Sequence, residues 1–206
     1  MELFLQKVMV IVRDVQRLFS FLMNRHLHFG CSQNPKEQLM FCEYAKLRSP
    51  QTFMEIGTAE GGNAVIICQS IPSIKKFIGI DLYVRNRFVL PLHLDCKVFL
   101  KNGRSSSARV FAWAASKACK IDLLFIDGDH TYEGVKLDYD LYSQRVRKGG
   151  LIAFHDIVPD KRPALQKTDY KGGVPAFWNE IKQGKKYIEI IDDPNQDGMG
   201  IGVLEV

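Results

Sequence analysis

Two short polar clusters in this sequence carry side chains that could perform acid–base or metal chemistry. Asp127 and His130 follow one apolar run, and His155 and Asp156 follow another. Carboxylates bind hard cations, whereas imidazoles exchange protons near neutral pH or bind softer metals. If the two runs form adjacent strands, about 4.8 Å apart, the carboxylates would share one cation, with a histidine as third ligand or general base. Asp129, between them, is equally well explained as a charge at a helix N-terminus.

A glycine-rich segment and a later acid form a second informative pair. The segment, residues 57–62, would let a ligand approach the backbone closely, and it opens a predicted helix whose N-terminus favours negative charge. Ala59 stands where the dinucleotide-binding pattern has its second glycine, which disfavours a pyrophosphate. Asp81 ends the next predicted strand, where an acid would bind ribose hydroxyls. The pair fits a nucleotide site, but it also fits a plain tight turn.

From residue 51 onward, apolar runs alternate with amphipathic segments, which is the pattern of strands joined by helices. The predicted strands cover residues 52–56, 77–80, 97–100, 121–126, 151–154, 187–191 and 199–206. They predict an α/β fold: a Rossmann-like, doubly wound sheet of seven strands, mostly parallel, with helices on both faces. The last two strands have no helix between them, so they should pair antiparallel.

Polar residues before the amphipathic segments predict where helices begin. Asn34 and Glu37 have the spacing of a capping box. Ser105 or Ser106 would cap the helix after the third strand, and Thr131 would cap the helix after the fourth. The apolar face of the first of these two helices would consist of Ala108, Phe111, Ala115 and Ala118.

The chemically useful residues all follow predicted strands. They are residues 57–62, Asp81, residues 103–105, residues 127–130 and residues 155–156. Open α/β sheets bind ligands beyond the carboxyl ends of their strands. The pattern therefore predicts one site at one edge of the sheet.

Composition restricts the class of protein. The 206 residues carry a net charge of +5, and the basic residues are scattered rather than interleaved with aromatics, which argues against nucleic-acid binding. The five cysteines form no CxxC pair, which favours a reducing compartment without structural zinc. Charges interrupt the apolar N-terminus too often for a membrane span. We expect a cytoplasmic protein without integral membrane contact.

Residues 1–23 have the pattern of an amphipathic helix. Its apolar face would consist of Leu5, Val8, Val12, Val15, Phe19 and Leu22. We expect a homodimer that buries this face, because an exposed stripe of that length favours association. We assign residues 1–50 to N-terminal helices on the dimer or substrate side, and residues 51–206 to the main domain. A Pro/Gly/Lys-rich loop, residues 159–173, should lie near the strand tips.

Four segments carry a resemblance to a known family. Residues 54–62, MEIGTAEGG, resemble motif I of class I S-adenosylmethionine-dependent methyltransferases. Residues 125–135, 149–157 and 173–181 resemble a bacterial group related to cephalosporin-biosynthesis and sugar or macrolide O-methyltransferases. The resemblance covers roughly residues 51–206.

The resemblance implies a set of binding residues for S-adenosylmethionine. The methionine part would be held by Glu55, Gly57, Thr58, Ala59, Gly61 and Gly62. Asp81 would bind the ribose, Gly103, Arg104 and Ser105 would lie beside the adenine, and Asp127 would also belong to the cofactor site. In metal-dependent relatives the positions of Asp127, His155 and Asp156 bind Mg²⁺, so these residues are candidates for Mg²⁺ or another divalent cation. Many relatives have two acids or Asp-Asn where this chain has His155-Asp156, and histidine is softer than Mg²⁺ prefers.

The resemblance implies methyl transfer to a hydroxyl group of a small molecule or sugar. Asp127, His130, His155 and Asp156 are the candidate catalytic residues. One alternative is a nicotinamide-dependent oxidoreductase, against which Ala59 and the antiparallel end pair argue. The other is a ligand-binding protein that keeps the fold without turnover.

Overall fold

The computed structural model describes residues 29–161 and 172–206, and these contain one seven-stranded sheet with the order β3-β2-β1-β4-β5-β7-β6. The strands are β1 (Thr52–Ile56), β2 (Lys76–Asp81), β3 (Lys97–Asn102), β4 (Ile121–Ile126), β5 (Val146–His155), β6 (Tyr187–Ile190) and β7 (Ile201–Glu205). Strands β1 to β5 pair in parallel, whereas β7 pairs antiparallel with both β5 and β6. The predicted sheet, including its antiparallel end, is confirmed.

Five helices and two short 3₁₀ turns lie within the described residues. The helices are α1 (Pro35–Lys46), α2 (Gly62–Ser70), α3 (Ala108–Lys117), α4 (Tyr132–Tyr142) and α5 (Val174–Ile181), and the 3₁₀ turns are Leu90–Leu92 and Ser143–Arg145. Asn34 and Thr131 accept hydrogen bonds from backbone amides at the starts of α1 and α4, as predicted. In the described part of the chain, no helix is both long enough and apolar enough to cross a bilayer.

Side chains alternate between the two faces of the sheet and form two apolar layers. Phe53 and Phe125 pack with α1 and α2 residues on one face. Met54 and Leu124 pack on the other face with residues of α3, α4 and α5. Because both faces are covered, β4 is a nearly continuous apolar run. The helices therefore lie on both faces, as predicted.

The predicted start of α3 is wrong, and its predicted apolar face is only partly right. Ser107, not Ser105 or Ser106, caps α3, because its side chain accepts a hydrogen bond from the amide of Val110. The cap lies one or two residues later than predicted. The buried residues of this segment are Val110, Ala114 and Ala118, and Phe111 packs against the same core as a partly buried residue. Of the predicted face, Phe111 and Ala118 therefore contact the core, whereas Ala108 is exposed.

The predicted capping box of α1 is also only half correct. Glu37 does not return to the helix start. Its carboxylate is fully buried and accepts hydrogen bonds from the amides of Asp192 and Gly200 and from the side chain of Gln196. Glu37 thereby fixes the loop before β7 against α1. The amphipathic segment of residues 1–23 and residues 162–171 of the predicted loop lie outside the described residues.

Candidate active site

The carboxyl ends of the parallel strands surround a cavity of about 960 Å³. Most of the residues predicted to form a site line it: Gly57, Thr58, Ala59, Asp81, Gly103, Arg104, Ser105, Asp127, His130, His155 and Asp156. Glu55, Gly61 and Gly62 are not among the residues that line it. The topology therefore assembles one concave site from five strand ends, as the strand-tip pattern predicts.

The loop after β1 fits closely beneath the end of β4. Gly57 has a φ of +95°, and a Cβ atom there would lie 1.8 Å from the carbonyl oxygen of Asp127. Only glycine satisfies both conditions. Ala59 has a φ of +44°, in the left-handed region that usually favours glycine. The loop thus adopts a glycine-type turn even where the sequence departs from the glycine pattern.

Asp81 holds this loop from the end of β2. Its Oδ2 accepts a hydrogen bond from the amide of Ala59 (2.8 Å), and its Oδ1 accepts one from the amide of Tyr83 (2.8 Å). Each carboxylate oxygen has a further lone pair available for a ligand hydroxyl. Asp81 therefore shapes the cavity wall and also presents acceptors to it.

Glu55 reaches the cavity only through another residue. Its side chain is fully buried, and its Oε1 accepts a hydrogen bond from Asn63 (2.7 Å), which in turn accepts one from Gln38 (2.7 Å). Burial raises the pKa of Glu55 to about 8, against the opposing effect of the Asn63 hydrogen bond. Glu55 is therefore mostly protonated at neutral pH, and Asn63 is the member of this chain that lines the cavity.

The two remaining glycines shape the start of α2. Gly61 precedes the helix with a φ of +87°. A Cβ atom at Gly62 would lie 2.4 Å from the carbonyl oxygen of Gly30. The segment before α1 therefore packs directly on the glycine loop and closes one side of the cavity.

The acids and imidazoles after β4 and β5 converge at the other side. Nδ1 of His155 lies 3.3 Å from Oδ1 of Asp127 and 3.4 Å from Oδ1 of Asp156. His130 bridges the same acids, with Nε2 at 3.4 Å from Asp127 and Nδ1 at 3.5 Å from Asp156. The predicted convergence of the two carboxylates is confirmed, and both histidines accompany them.

The charges in this cluster shift one another's protonation. Burial alone would raise the pKa of Asp127, but His155 and His130 outweigh burial and hold it well below the usual range. Burial alone would lower the pKa of His155, but Asp127 and then Asp156 raise it to about 10. Without a bound cation, His155 is thus an imidazolium at neutral pH and a poor proton acceptor.

The end of β5 is held in an uncommon backbone conformation. Asp156 has a φ of +62° and is almost fully buried. Aspartate tolerates this region better than most residues because its short polar side chain bonds locally. The left-handed turn follows directly after His155, so both side chains of this pair reach the cluster.

The donor atoms of the cluster have the spacing of a metal site. One ligand atom each of Asp127, His130 and Asp156 lie within 4.8 Å of one another. The sequence-based set had His155 in place of His130. Because one donor is an imidazole, the group is softer than the all-oxygen sites that Mg²⁺ usually takes.

Three residues of the site were not found from the sequence. Gln33 donates a hydrogen bond from Nε2 to Oδ2 of Asp127 (2.9 Å), and Asn63 and Asp138 also line the cavity. Gln33 carries no sequence signal, because it lies before α1 and meets Asp127 only in the folded chain. Asp138 could have been noticed as the one acid between Val135 and Tyr142 on the buried face of α4.

Comparison with known proteins finds one matching family model and several solved structures with a similar fold. A family model described as a methyltransferase domain matches residues 54–157, from β1 to just past Asp156. A protein of Acanthamoeba polyphaga mimivirus, itself uncharacterised, is 32% identical over 156 residues. That match covers 69% of this chain and 66% of the viral protein, just under two thirds of its length.

Two solved structures share the fold. The O-methyltransferase TomG of Streptomyces achromogenes, solved with S-adenosylmethionine, has a TM-score of 0.65 and 14% identity, with 95% of this chain and 89% of that chain covered. An O-methyltransferase of Bacillus cereus, solved with S-adenosylhomocysteine, has a TM-score of 0.63 and 12% identity, with 96% and 91% covered. At these identities the likeness shows the fold alone.

Proposed function

Because this chain belongs to the methyltransferase domain family, we propose that it transfers a methyl group from S-adenosylmethionine to a hydroxyl oxygen of a small molecule or sugar. The observation that carries the proposal is the meeting of the glycine loop, Asp81 and the Asp127–His130–His155–Asp156 cluster around one cavity. The cofactor bound in the Streptomyces structure supports the choice of methyl donor. Family membership decides against the oxidoreductase alternative.

The cavity offers suitable groups for each part of the cofactor. The backbone of residues 57–59 and Asn63 would hold the methionine part, Asp81 the ribose hydroxyls, and residues 103–105 the adenine. The cofactor supplies a methyl carbon on a sulfonium, which accepts an electron pair from the acceptor oxygen as the sulfur–carbon bond breaks. The chain aligns the two reactants, and such positioning alone can lower the activation free energy by several kcal/mol.

Of the two histidines, His130 is the candidate base, because its side chain is 24% exposed whereas that of His155 is 3% exposed. Asp127 and Asp156 lie 3.4 and 3.5 Å from its two ring nitrogens, so one of these contacts must open before a nitrogen can accept the proton. His155 remains protonated between the same acids and keeps them paired. Proton removal by a positioned imidazole typically accelerates a reaction about 10²- to 10⁴-fold.

A divalent cation is the second way to activate the hydroxyl. Asp127, His130 and Asp156 would hold it, and it would supply a Lewis acid that lowers the hydroxyl pKa. His130 would then be a ligand and could not serve as the base. The two accounts therefore exclude each other at this residue.

The first test is calorimetry of the protein with S-adenosylhomocysteine and, separately, with NAD⁺. We expect binding of the first only, and no binding of S-adenosylhomocysteine at millimolar concentration would refute the proposal. Transfer of a labelled methyl group to a panel of sugars and other small hydroxyl compounds then separates an enzyme from a non-catalytic binding protein.

The same assay with a chelator distinguishes the two activation routes. Loss of activity that Mn²⁺ or Mg²⁺ restores supports the cation. Activity that ignores the chelator supports a histidine base, for which His130 is the candidate.

A further inference from the structure

Cys68 and Cys96 form a thiol pair that the proposed reaction does not use. Cys68 lies in the last turn of α2, and Cys96 directly precedes β3. The two thiols are within hydrogen-bonding distance of each other, with Cys68 as the donor. Both side chains are partly buried against the same apolar cluster. A disulfide requires side chains that face each other at close range, and this pair meets that requirement.

Contacts beside the pair hold the two cysteines close to each other. The side chain of Gln69 donates a hydrogen bond from Nε2 to the carbonyl oxygen of His93 (3.3 Å). These two residues are close neighbours of Cys68 and Cys96 in sequence. The amide of Lys97 donates to the carbonyl oxygen of the residue before β2 (3.0 Å), where the pairing of β3 with β2 begins. The fold therefore brings the thiols together independently of their own hydrogen bond.

Cys96 is the more reactive member of the pair. The hydrogen bond from Cys68 lowers the pKa of Cys96 below its ordinary value, and burial partly opposes this effect. The amide of Phe77 and the ammonium of Lys75 lower the pKa of Cys96 further, whereas Asp95 raises it. The hydrogen bond and burial both raise the pKa of Cys68, which therefore keeps its proton. Because oxidants react with the thiolate form, Cys96 is the residue that is oxidised first.

The pair lies at one end of a segment that packs on the glycine loop. The amide of Arg85 and the side chain of Asn86 donate hydrogen bonds to carbonyl oxygens of this loop (3.0 and 2.8 Å). Leu82 and Arg85 also line the cavity. This segment, residues 82–95, thus contacts the glycine loop near its start and reaches Cys96 at its end. A covalent link from Cys96 to α2 would fix the far end of this part of the cavity wall.

We propose that Cys68 and Cys96 are a reversible oxidation site, at which a hydroperoxide closes a disulfide that fixes residues 82–95 to α2. The Cys96 sulfur attacks the peroxide, the oxygen–oxygen bond breaks, and Cys96 becomes a sulfenic acid while water or an alcohol leaves. The Cys68 sulfur then displaces the hydroxyl group, which leaves as water with the Cys68 proton. The two thiols lose two electrons, and the peroxide gains them. An external thiol reopens the disulfide by exchange.

The test is oxidation of the full, folded chain with hydrogen peroxide, followed by alkylation of the remaining thiols in denaturant and peptide mapping without reduction. We expect a peptide that links Cys68 to Cys96, and its disappearance after dithiothreitol. Both cysteines should be lost from the alkylated pool together, at least about fivefold faster than the exposed Cys119. Cys68 and Cys96 that are still alkylated when Cys119 has been oxidised overturn the proposal, and so does a predominant link to any other cysteine.

Three serine variants separate the roles of the two thiols. In Cys68→Ser the hydroxyl can still donate to Cys96, so Cys96 should stop at the sulfenic acid, which dimedone captures. In Cys96→Ser, Cys68 should remain reduced. Cys119→Ser is the matched control and should form the disulfide at the wild-type rate. A Cys68→Ser protein with a folded melting curve but no captured sulfenic acid would overturn the assignment of Cys96 as the oxidised thiol. These measurements use no cofactor or acceptor, so their outcome is independent of the proposed reaction.

Discussion

The glycine loop and the acid–imidazole cluster face the same cavity but are built in opposite ways. The loop uses backbone: Gly57 fits beneath the Asp127 carbonyl, and Asp81 accepts hydrogen bonds from loop amides. The cluster uses charged side chains, with two histidines set between Asp127 and Asp156. In the loop, close packing of the backbone limits which residues can be accommodated. In the cluster, the charges of neighbouring side chains limit them.

The difference separates binding from chemistry. A change in the loop alters the space in which a ligand and the neighbouring strand must fit, so it should act on stability and cofactor affinity. A change in the cluster alters the group proposed to remove a proton or hold a cation, so it should act on turnover. Variants in the two regions can therefore break or sharpen this separation.

The largest effect is expected in the cluster. Asp156→Asn keeps the left-handed backbone, which asparagine also tolerates, but removes one charge that orients His130. We expect turnover of the acceptor found in the panel to fall roughly 100- to 1,000-fold, while affinity for S-adenosylhomocysteine changes about threefold or less.

Steady-state kinetics and calorimetry on the same preparation measure both quantities. Asp129→Asn is the control, because Asp129 is an exposed acid of the same region that bonds locally to Thr131. Equal losses of turnover and affinity in Asp156→Asn would remove the proposed division of labour.

The next effect is expected in the loop. Gly57→Ala introduces a left-handed alanine and places its Cβ atom against the Asp127 carbonyl. The free energy of unfolding should fall by about 3 kcal/mol or more, since strain and overpacking add. Urea denaturation measures the loss.

Gly184→Ala separates the two causes. Gly184 has a φ of +69° and nothing within 4 Å of its built Cβ atom. It should lose only about 1–2 kcal/mol, the cost of the backbone conformation. A similar loss at both positions would mean that close approach to β4 is unimportant.

Glu55 should make stability depend on pH. Its pKa is about 8 in the folded protein, whereas the ordinary pKa of a glutamate, which applies to the unfolded chain, is 4.5. As pH rises between these values, the unfolded chain releases the proton while the folded chain keeps it, so the folded protein becomes less stable. Glu55→Gln cannot titrate but keeps the oxygen that accepts from Asn63.

The variant should therefore gain stability relative to wild type as pH rises from 5 to 8, by on the order of 3 kcal/mol. Above pH 8 the difference should level off. Urea denaturation at pH 5, 6.5 and 8 measures it, and a difference that does not change with pH would argue that Glu55 is charged when folded.

The smallest effect is expected at Asp81. Asp81→Ala removes the acceptors proposed for the ribose hydroxyls. It should make the binding free energy of S-adenosylhomocysteine less favourable by about 1.5–3 kcal/mol. Calorimetry measures the affinity, and the melting temperature of the free variant reports the separate loss of the amide contacts. Unchanged affinity would place the ribose elsewhere.

Much of the site could be predicted from local pattern. Alternating apolar runs and amphipathic segments indicated the sheet, and its order brings Asp81, Asp127 and Asp156 to one edge. Periodicity and strand order suffice for this because they determine where each strand ends. The cap of α3 could not be chosen from the sequence, since Ser105, Ser106 and Ser107 all have the right chemistry, and only the structure identifies Ser107 as the cap.

Only the tertiary structure decided which partners each functional group has. Gln33 meets Asp127 across 94 residues of sequence, and no local pattern encodes that contact. The sequence allowed His130 or His155 to serve as base, and the folded chain protonates His155 between two acids. Side-chain direction, burial and mutual charge set these roles, and all three exist only after distant segments have packed together.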